Sequence, residues 1–272
     1  MARWLVILLL ALSQSVVAIV IRDDVADAEY RVEAAEFPPL VDMPDEGHGV
    51  LIAPQWVLTA AHAVSWRSGL DEVVIGDEAR KVEQVIVHPG FKHPPQALIE
   101  QALATGDGVL AVLQIAASDD IALVKLVEPV TDIAPVGLHS TGDEVGRTVK
   151  IIGKGATGTG ATGHDPAGPN RTALRQAYNR VTSAHGRWFC YVFDPPAAAL
   201  PLEGKTGSGD SGGPVLVEVD GQWALAGLAA WGFIQGDVRS MRPGLYGQLT
   251  CNVRVGHYLD WITGVMAGTE AH

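Results

Sequence analysis

A chain of 272 residues with 47% apolar content is long enough to bury a substantial core, and large β folds reach this size undivided. Its formal net charge of −12 argues against nucleic acid or an anionic membrane surface as a partner. The cysteines are two, Cys190 and Cys251; no Cys/His cluster has metal-ligand spacing, so neither metal nor cofactor is expected. Whether the two pair is not legible from their spacing.

In chain order, Arg3 precedes an apolar run over 4–12. Polar Ser13-Gln14-Ser15 and then Val16-Val17-Ala18 follow. This reads as a signal peptide over 1–18, with export to the periplasm or exterior and no stable membrane association after cleavage. A membrane span is the competing reading, interrupted by the Ser-Gln-Ser step. Strands are expected over 30–41, 47–53 and 56–59, with His62 just beyond the last among small residues. Further strands fall over 73–75 and 82–87, joined at Gly76-Asp77. After Pro94-Pro95 the apolar positions of 96–103 suit a short helix ending near Gly106. Asp119-Asp120 then stands at the mouth of an apolar strand, Ile121 to Leu126.

A new set of strands begins over 147–152. The glycine-rich stretch 153–168 has no phosphate-loop ending and reads as a surface loop, and Asn170-Arg171-Thr172 is a formal glycosylation sequon. Strands follow over 174–182 and 188–193, and 215–219 pairs with 223–231 across Asp220-Gly221. Residues 252–266 place Val255, Tyr258, Leu259, Ile262, Val265 and Met266 on one helical face. Many short strands and a closing helix do not suit alternating β-α-β units.

The chemistry is most legible at Gly204-Lys205-Thr206-Gly207-Ser208-Gly209-Asp210-Ser211-Gly212-Gly213-Pro214. Glycines strip side chains from around Ser211. A tight turn would aim the N–H groups of Gly209 and Ser211 at one point, where an oxyanion is held during acyl transfer. By itself this stretch also reads as a turn between strands, and His62 as a structural histidine. Three strings together go further: Trp56-Val57-Leu58-Thr59-Ala60-Ala61-His62, Asp120-Ile121-Ala122-Leu123 and Gly209-Asp210-Ser211-Gly212-Gly213-Pro214 resemble the histidine, aspartate and serine motifs of the trypsin/chymotrypsin-like serine peptidases.

The resemblance implies an all-β fold: two packed antiparallel six-stranded β-barrels with a C-terminal α-helix, the first over about 19–137 and the second over about 138–272. It implies a secreted serine endopeptidase acting on protein or peptide substrates through Ser211 as nucleophile, His62 as base and Asp120 as its orienting group. It also implies that Asp210 pairs with a freshly exposed amine, which cleavage after Ala18 would create at Ile19. Lys205 falls at the floor of the family's specificity pocket, and Trp231, Gly232 and Gly244 at its walls. With no aspartate on the floor, a preference for basic residues is not expected. Lys205 would favour an acidic residue if it faced inward, whereas its long stem is expected to carry the charge out to water.

Departures from the pattern are Gly47, Ala63 and Gly207, where members carry cysteines, and Ala230, where a serine usually supports the aspartate. Asp77 and Glu78 do not reproduce a calcium loop. Two other functions stay open: an inactive homologue acting as a binding module, and an esterase on the Gly-x-Ser-x-Gly pattern. The esterase is disfavoured by the order His, Asp, Ser and by the hairpin after Ser211.

Overall fold

The computed structural model describes residues 19–66, 69–165, 168–169, 171–233 and 236–269. The leader read over 1–18 and the sequon's Asn170 lie outside the described residues. Strand β1 (Val20–Ile21) precedes a first barrel of β2 (Leu40–Asp42), β3 (His48–Ala53), β4 (Trp56–Thr59), β5 (Glu72–Ile75), β6 (Glu78–Val87) and β7 (Ala122–Leu126). It closes in the order β2-β3-β4-β7-β6-β5. The second barrel comprises β8 (Thr148–Gly153), β11 (Arg175–His185), β12 (Trp188–Val192), β14 (Pro214–Val219), β15 (Gln222–Phe233) and β16 (Leu249–Arg254). Between these along the chain lie the short strands β9 (Gly158–Thr159), β10 (Gly163–His164) and β13 (Gly204–Lys205). It closes in the order β11-β12-β16-β15-β14-β8, while β10-β9-β1-β13 form a small separate sheet. The expected architecture of two closed six-stranded antiparallel barrels is therefore the observed one.

Alternation builds the barrels. In β11 the residues Arg175, Ala177, Asn179 and Val181 point inward and their neighbours outward, as the period of two requires. One apolar cluster fills the first barrel around Leu51, Val57, Ile75 and Val124. Another fills the second around Ile151, Phe189, Tyr191 and Val217, and it takes in Ile19, Ile21 and Tyr30. A third joins Leu58, Ile121 and Leu123 of the first to Leu216, Leu228 and Val253 of the second. The segment before β2 thus precedes the first barrel in sequence but packs on the second.

Four expected elements come out differently. Residues 30–41 do not form one strand: an isolated bridge from Arg31 to Arg175 and a 3-10 turn at Ala34–Glu36 precede the strand that begins at Leu40, past Pro38 and Pro39, which have no N–H to give a ladder. The helix read over 96–103 is one of a pair, α2 (Gln96–Thr105) and α3 (Val109–Ala116), after the single turn α1 (Ala61–Val64). The closing helix is shorter than read, α4 (Leu259–Met266), because Leu249–Arg254 fill the slot between β12 and β15. The glycine-rich stretch is not a loose surface loop either, since β9 pairs with β1 and β10.

Candidate active site

Strands β4 and β7 are antiparallel neighbours with Thr59 opposite Ala122. The chain leaving β4 and the chain entering β7 therefore meet at the same end of the barrel, which brings His62 on α1 beside Asp120. The His62 N–H donates to Asp120 Oδ1 at 2.8 Å, and His62 Nδ1 lies 2.7 Å from Oδ2. A carboxylate at Nδ1 keeps the proton there, so Nε2 faces Ser211 Oγ, 2.7 Å away, as an acceptor. Burial opposes a charge on His62, but the charge and hydrogen bond of Asp120 outweigh it, and the net shift is upward. The neighbouring carboxylate is engaged elsewhere: Asp119 Oδ1 accepts from Tyr258 Oη at 2.8 Å and lies 3.0 Å from Arg187 Nε.

Ser211 arrives from the second barrel on a loop held by the first. His48 N–H donates to the Ser211 carbonyl at 2.7 Å, and Gly47 N–H to that of Gly209 at 3.2 Å. The approach is close enough to require glycine. At Gly212, with φ +74°, a Cβ would lie 2.2 Å from Thr59 Oγ1 and 2.3 Å from the His48 carbonyl. Among the described residues, the N–H groups of Gly209 and Ser211 donate to no acceptor, as a site for an oxyanion requires.

Asp210 is buried. Its Oδ1 accepts from the Gly155 N–H at 2.7 Å and its Oδ2 from the Gly207 N–H at 2.8 Å. His48 Nε2 stands 3.9 Å from Oδ1. Burial pushes this carboxyl upward. Sequence reasoning missed His48, whose Nε2 accepts from the Lys154 N–H at 3.2 Å while Nδ1 meets Asp42 at 3.1 Å. Nothing in its local sequence marks it: Asp42 lies opposite on the adjacent strand, but Lys154 and Asp210 come from the distant second barrel and serine loop. Ile19 is also fully buried. No hydrogen bond joins it to Asp210 among the described residues; its nitrogen is here a peptide amide, without the charge that the expected pair needs.

Lys205 corrects an expectation. Its side chain does not run to water: only 4% of it is exposed. On the wall opposite, a side chain at Gly232 would begin 3.7 Å from Nζ. Burial alone pulls the amine down to about 8. His164, whose imidazole feels the Lys205 ammonium, was also missed because the glycines around it suggested a surface loop. Its Nε2 lies 3.0 Å from Ser208 Oγ and accepts from the Ser208 N–H at 3.2 Å. Burial, with the Lys205 ammonium second, lowers the imidazole to about 4. Gly244, at φ +96°, packs on the same ring, for a Cβ there would lie 2.8 Å from His164 Nδ1. Trp231 faces the other way along β15. With Ala230 it lines a cavity of about 260 Å³ that also holds His62, Phe91, Ile115 and Asp120.

The two cysteines are bonded across β12 and β16, where they stand directly opposite each other. Gly47 and Ala63, the positions without family cysteines, are nonetheless neighbours, since a Cβ on Gly47 would lie 3.4 Å from that of Ala63. The absent serine at Ala230 leaves Asp120 with both hydrogen bonds to His62, one from the backbone and one from the ring.

Two closed antiparallel barrels, with a carboxylate, an imidazole and a serine hydroxyl in line across their seam, define the trypsin-like serine peptidases. Comparison with protein-family models agrees: Trypsin matches over residues 29–262. The chain belongs to that family, whose members act on protein or peptide substrates. The match begins beyond Ile19, so the amine proposed for that residue rests on other observations.

Proposed function

We propose that this chain is an exported serine endopeptidase that hydrolyses peptide bonds through an acyl-enzyme intermediate, with His62, Asp120 and Ser211 as its catalytic residues. The observation that carries the reading is the unbroken relay from Asp120 Oδ2 through His62 to Ser211 Oγ, with both steps at 2.7 Å. Ser211 Oγ attacks the substrate carbonyl while His62 Nε2 takes its proton, and Asp120 stabilises the imidazolium without becoming protonated. The Gly209 and Ser211 N–H groups hold the oxyanion. Collapse expels the amine, which carries off the proton from His62. Water, deprotonated by the same nitrogen, then releases the acid.

A fluorophosphonate probe tests this directly. The mature protein is expected to be labelled once and to cleave peptides. Ser211→Ala should lose labelling and on the order of 10⁶ in turnover. Absence of labelling in folded protein would favour an inactive homologue that binds a partner. An esterase is disfavoured because a β-hairpin follows Ser211 rather than a helix.

Export rests on the leader over 1–18. Among the described residues no helix is long and apolar enough to cross a membrane. Removal of that leader would leave an α-amine at Ile19 as a cation for buried Asp210.

A further inference from the structure

Lys205 on β13 stands beside Gly232 of β15, where a Cβ would lie 3.7 Å from Nζ, and its ammonium acts on His164, which hydrogen-bonds Ser208 of the serine loop and packs on Gly244. The strand carrying Gly232 begins its approach at Ala230 and Trp231, which line the cavity of His62 and Asp120. One strand, β15, thus borders both the reacting groups and Lys205.

What this place holds is unbalanced. The Lys205 side chain makes no hydrogen bond or ion pair with any described residue, and burial is the sole influence on its amine. His164 Nε2 accepts a backbone N–H, so its ring proton sits on Nδ1. That Nδ1 is buried with no partner among the described residues, in a side chain 8% exposed. Two donors, one of them charged, thus stand without a hydrogen-bonded acceptor among the described residues, and the carboxylate that acts on His164 is that of Asp165. Buried donors are almost always satisfied, and a buried cation without an anion is rarer still. An anionic ligand that accepts from both would remove the imbalance.

Resting on the peptidase reading above, we propose that Lys205 and His164 form the floor of a pocket that selects a glutamate or aspartate side chain immediately before the scissile bond. The carboxylate takes one oxygen to Lys205 Nζ and the other to His164 Nδ1–H. A basic side chain meets the ammonium as a like charge, and a neutral amide of the same shape as glutamate gives up the ion pair. Lys205 and His164 are specificity residues and take no part in bond cleavage.

Matched peptidyl-aminocoumarins ending in Glu, Gln, Leu or Lys test the proposal, since Glu and Gln differ in charge and hardly in size. Hydrolysis after Glu is expected to exceed that after Gln by about ten-fold or more in kcat/KM, in keeping with a charge-assisted bond. Lys205→Met should bring the two within about two-fold, and Lys205→Arg should keep the preference. Labelling with a fluorophosphonate separates the two claims. A labelled enzyme that cleaves after Gln, Leu or Lys as well as after Glu overturns the pocket and leaves the peptidase standing. If nothing labels, the peptidase reading fails, and the pocket is judged by calorimetry with acetyl-Ala-Ala-Pro-Glu-amide against its Gln counterpart. Tighter binding of the Glu peptide upholds the pocket, and equal affinities overturn it.

Discussion

Lys205 holds an ammonium where water scarcely reaches, and the folded chain is less stable for it. Its amine titrates at about 8 in place of the ordinary 10.5. Below both values the folded and unfolded chains are equally protonated, and the penalty is present in full, on the order of 3 kcal/mol. Between them the unfolded chain binds more protons, so stability rises with pH across that window. Lys205→Met is therefore expected to stabilise the free protein by roughly 2–3 kcal/mol at neutral pH. The advantage should shrink towards about pH 10.5. Urea unfolding across pH measures this, and a variant no more stable than the parent would mean that the ammonium is already compensated. His62 runs in the opposite sense. Its raised value contributes stability that is complete below the ordinary imidazole range and lost as pH climbs through the folded value, while the neutral base that the proposed mechanism requires would appear over that same rise.

At the scale of elements, neighbouring strands accomplish what separated motifs do not state. Residues 62 and 120 are far apart in sequence but become adjacent because β4 and β7 share a ladder. The helical insertion between β6 and β7 is tied to the second half of the chain at the α2–α3 junction and at the end of α3. Trp188 Nε1 donates to the Ala116 carbonyl at 2.8 Å, and the Val238 N–H to that of Gly106 at 2.9 Å. Between α2, α3 and β15 lies a cavity of about 280 Å³ lined by Leu103, Val112, Gly232 and Phe233, on the strand that passes Lys205. Gly106 ends α2 at φ +81°, and a Cβ there would meet the Asp237 carboxylate at 2.6 Å. Gly106→Ala is expected to loosen this junction by about 1 kcal/mol or more. KM for peptides extended on the amino-terminal side should rise several-fold, with little change in fluorophosphonate labelling. An unchanged KM would reduce the insertion to a cover.

Over the whole molecule, the site lies on the seam that the shared apolar cluster holds shut, so the barrels cannot part without separating His62 from Ser211. Under the proposed function, the amino-terminal segment would act as a global switch. Ile19 is a β-branched residue at φ +60°, a conformation that costs on the order of 1–3 kcal/mol. Cleavage before it removes the preceding carbonyl carbon that defines this torsion, and it creates a cation for Asp210. Active secreted protein is accordingly expected to begin at Ile19, as amino-terminal sequencing would reveal; any other start dissociates signal removal from activation. Pairing would raise the amine above about 8, so its stabilisation is complete at lower pH and is lost as pH climbs through the folded value. Activity should decline with it.

Three short strings made Ser211, His62 and Asp120 legible as a candidate triad from sequence, because a glycine-cleared serine and a strand-end acid and histidine are local arrangements. Periodicity likewise marked most strands of both barrels, since each alternates on its own. The fates of residues whose surroundings come from elsewhere were not legible. Lys205 carries a side chain that ordinarily reaches water, and only the convergence of β13, Gly232 and His164 keeps it inside. His48 gains its role from Asp42, Lys154 and the serine loop. Residues 252–254 run without a break into the helical spacing of 255–266, yet they become strand because the second barrel has an open slot for them. Local sequence determined which groups are present and which strands they sit on; tertiary packing decided which of them are dry, because burial such as that of Lys205 comes from strands that meet only in the folded chain.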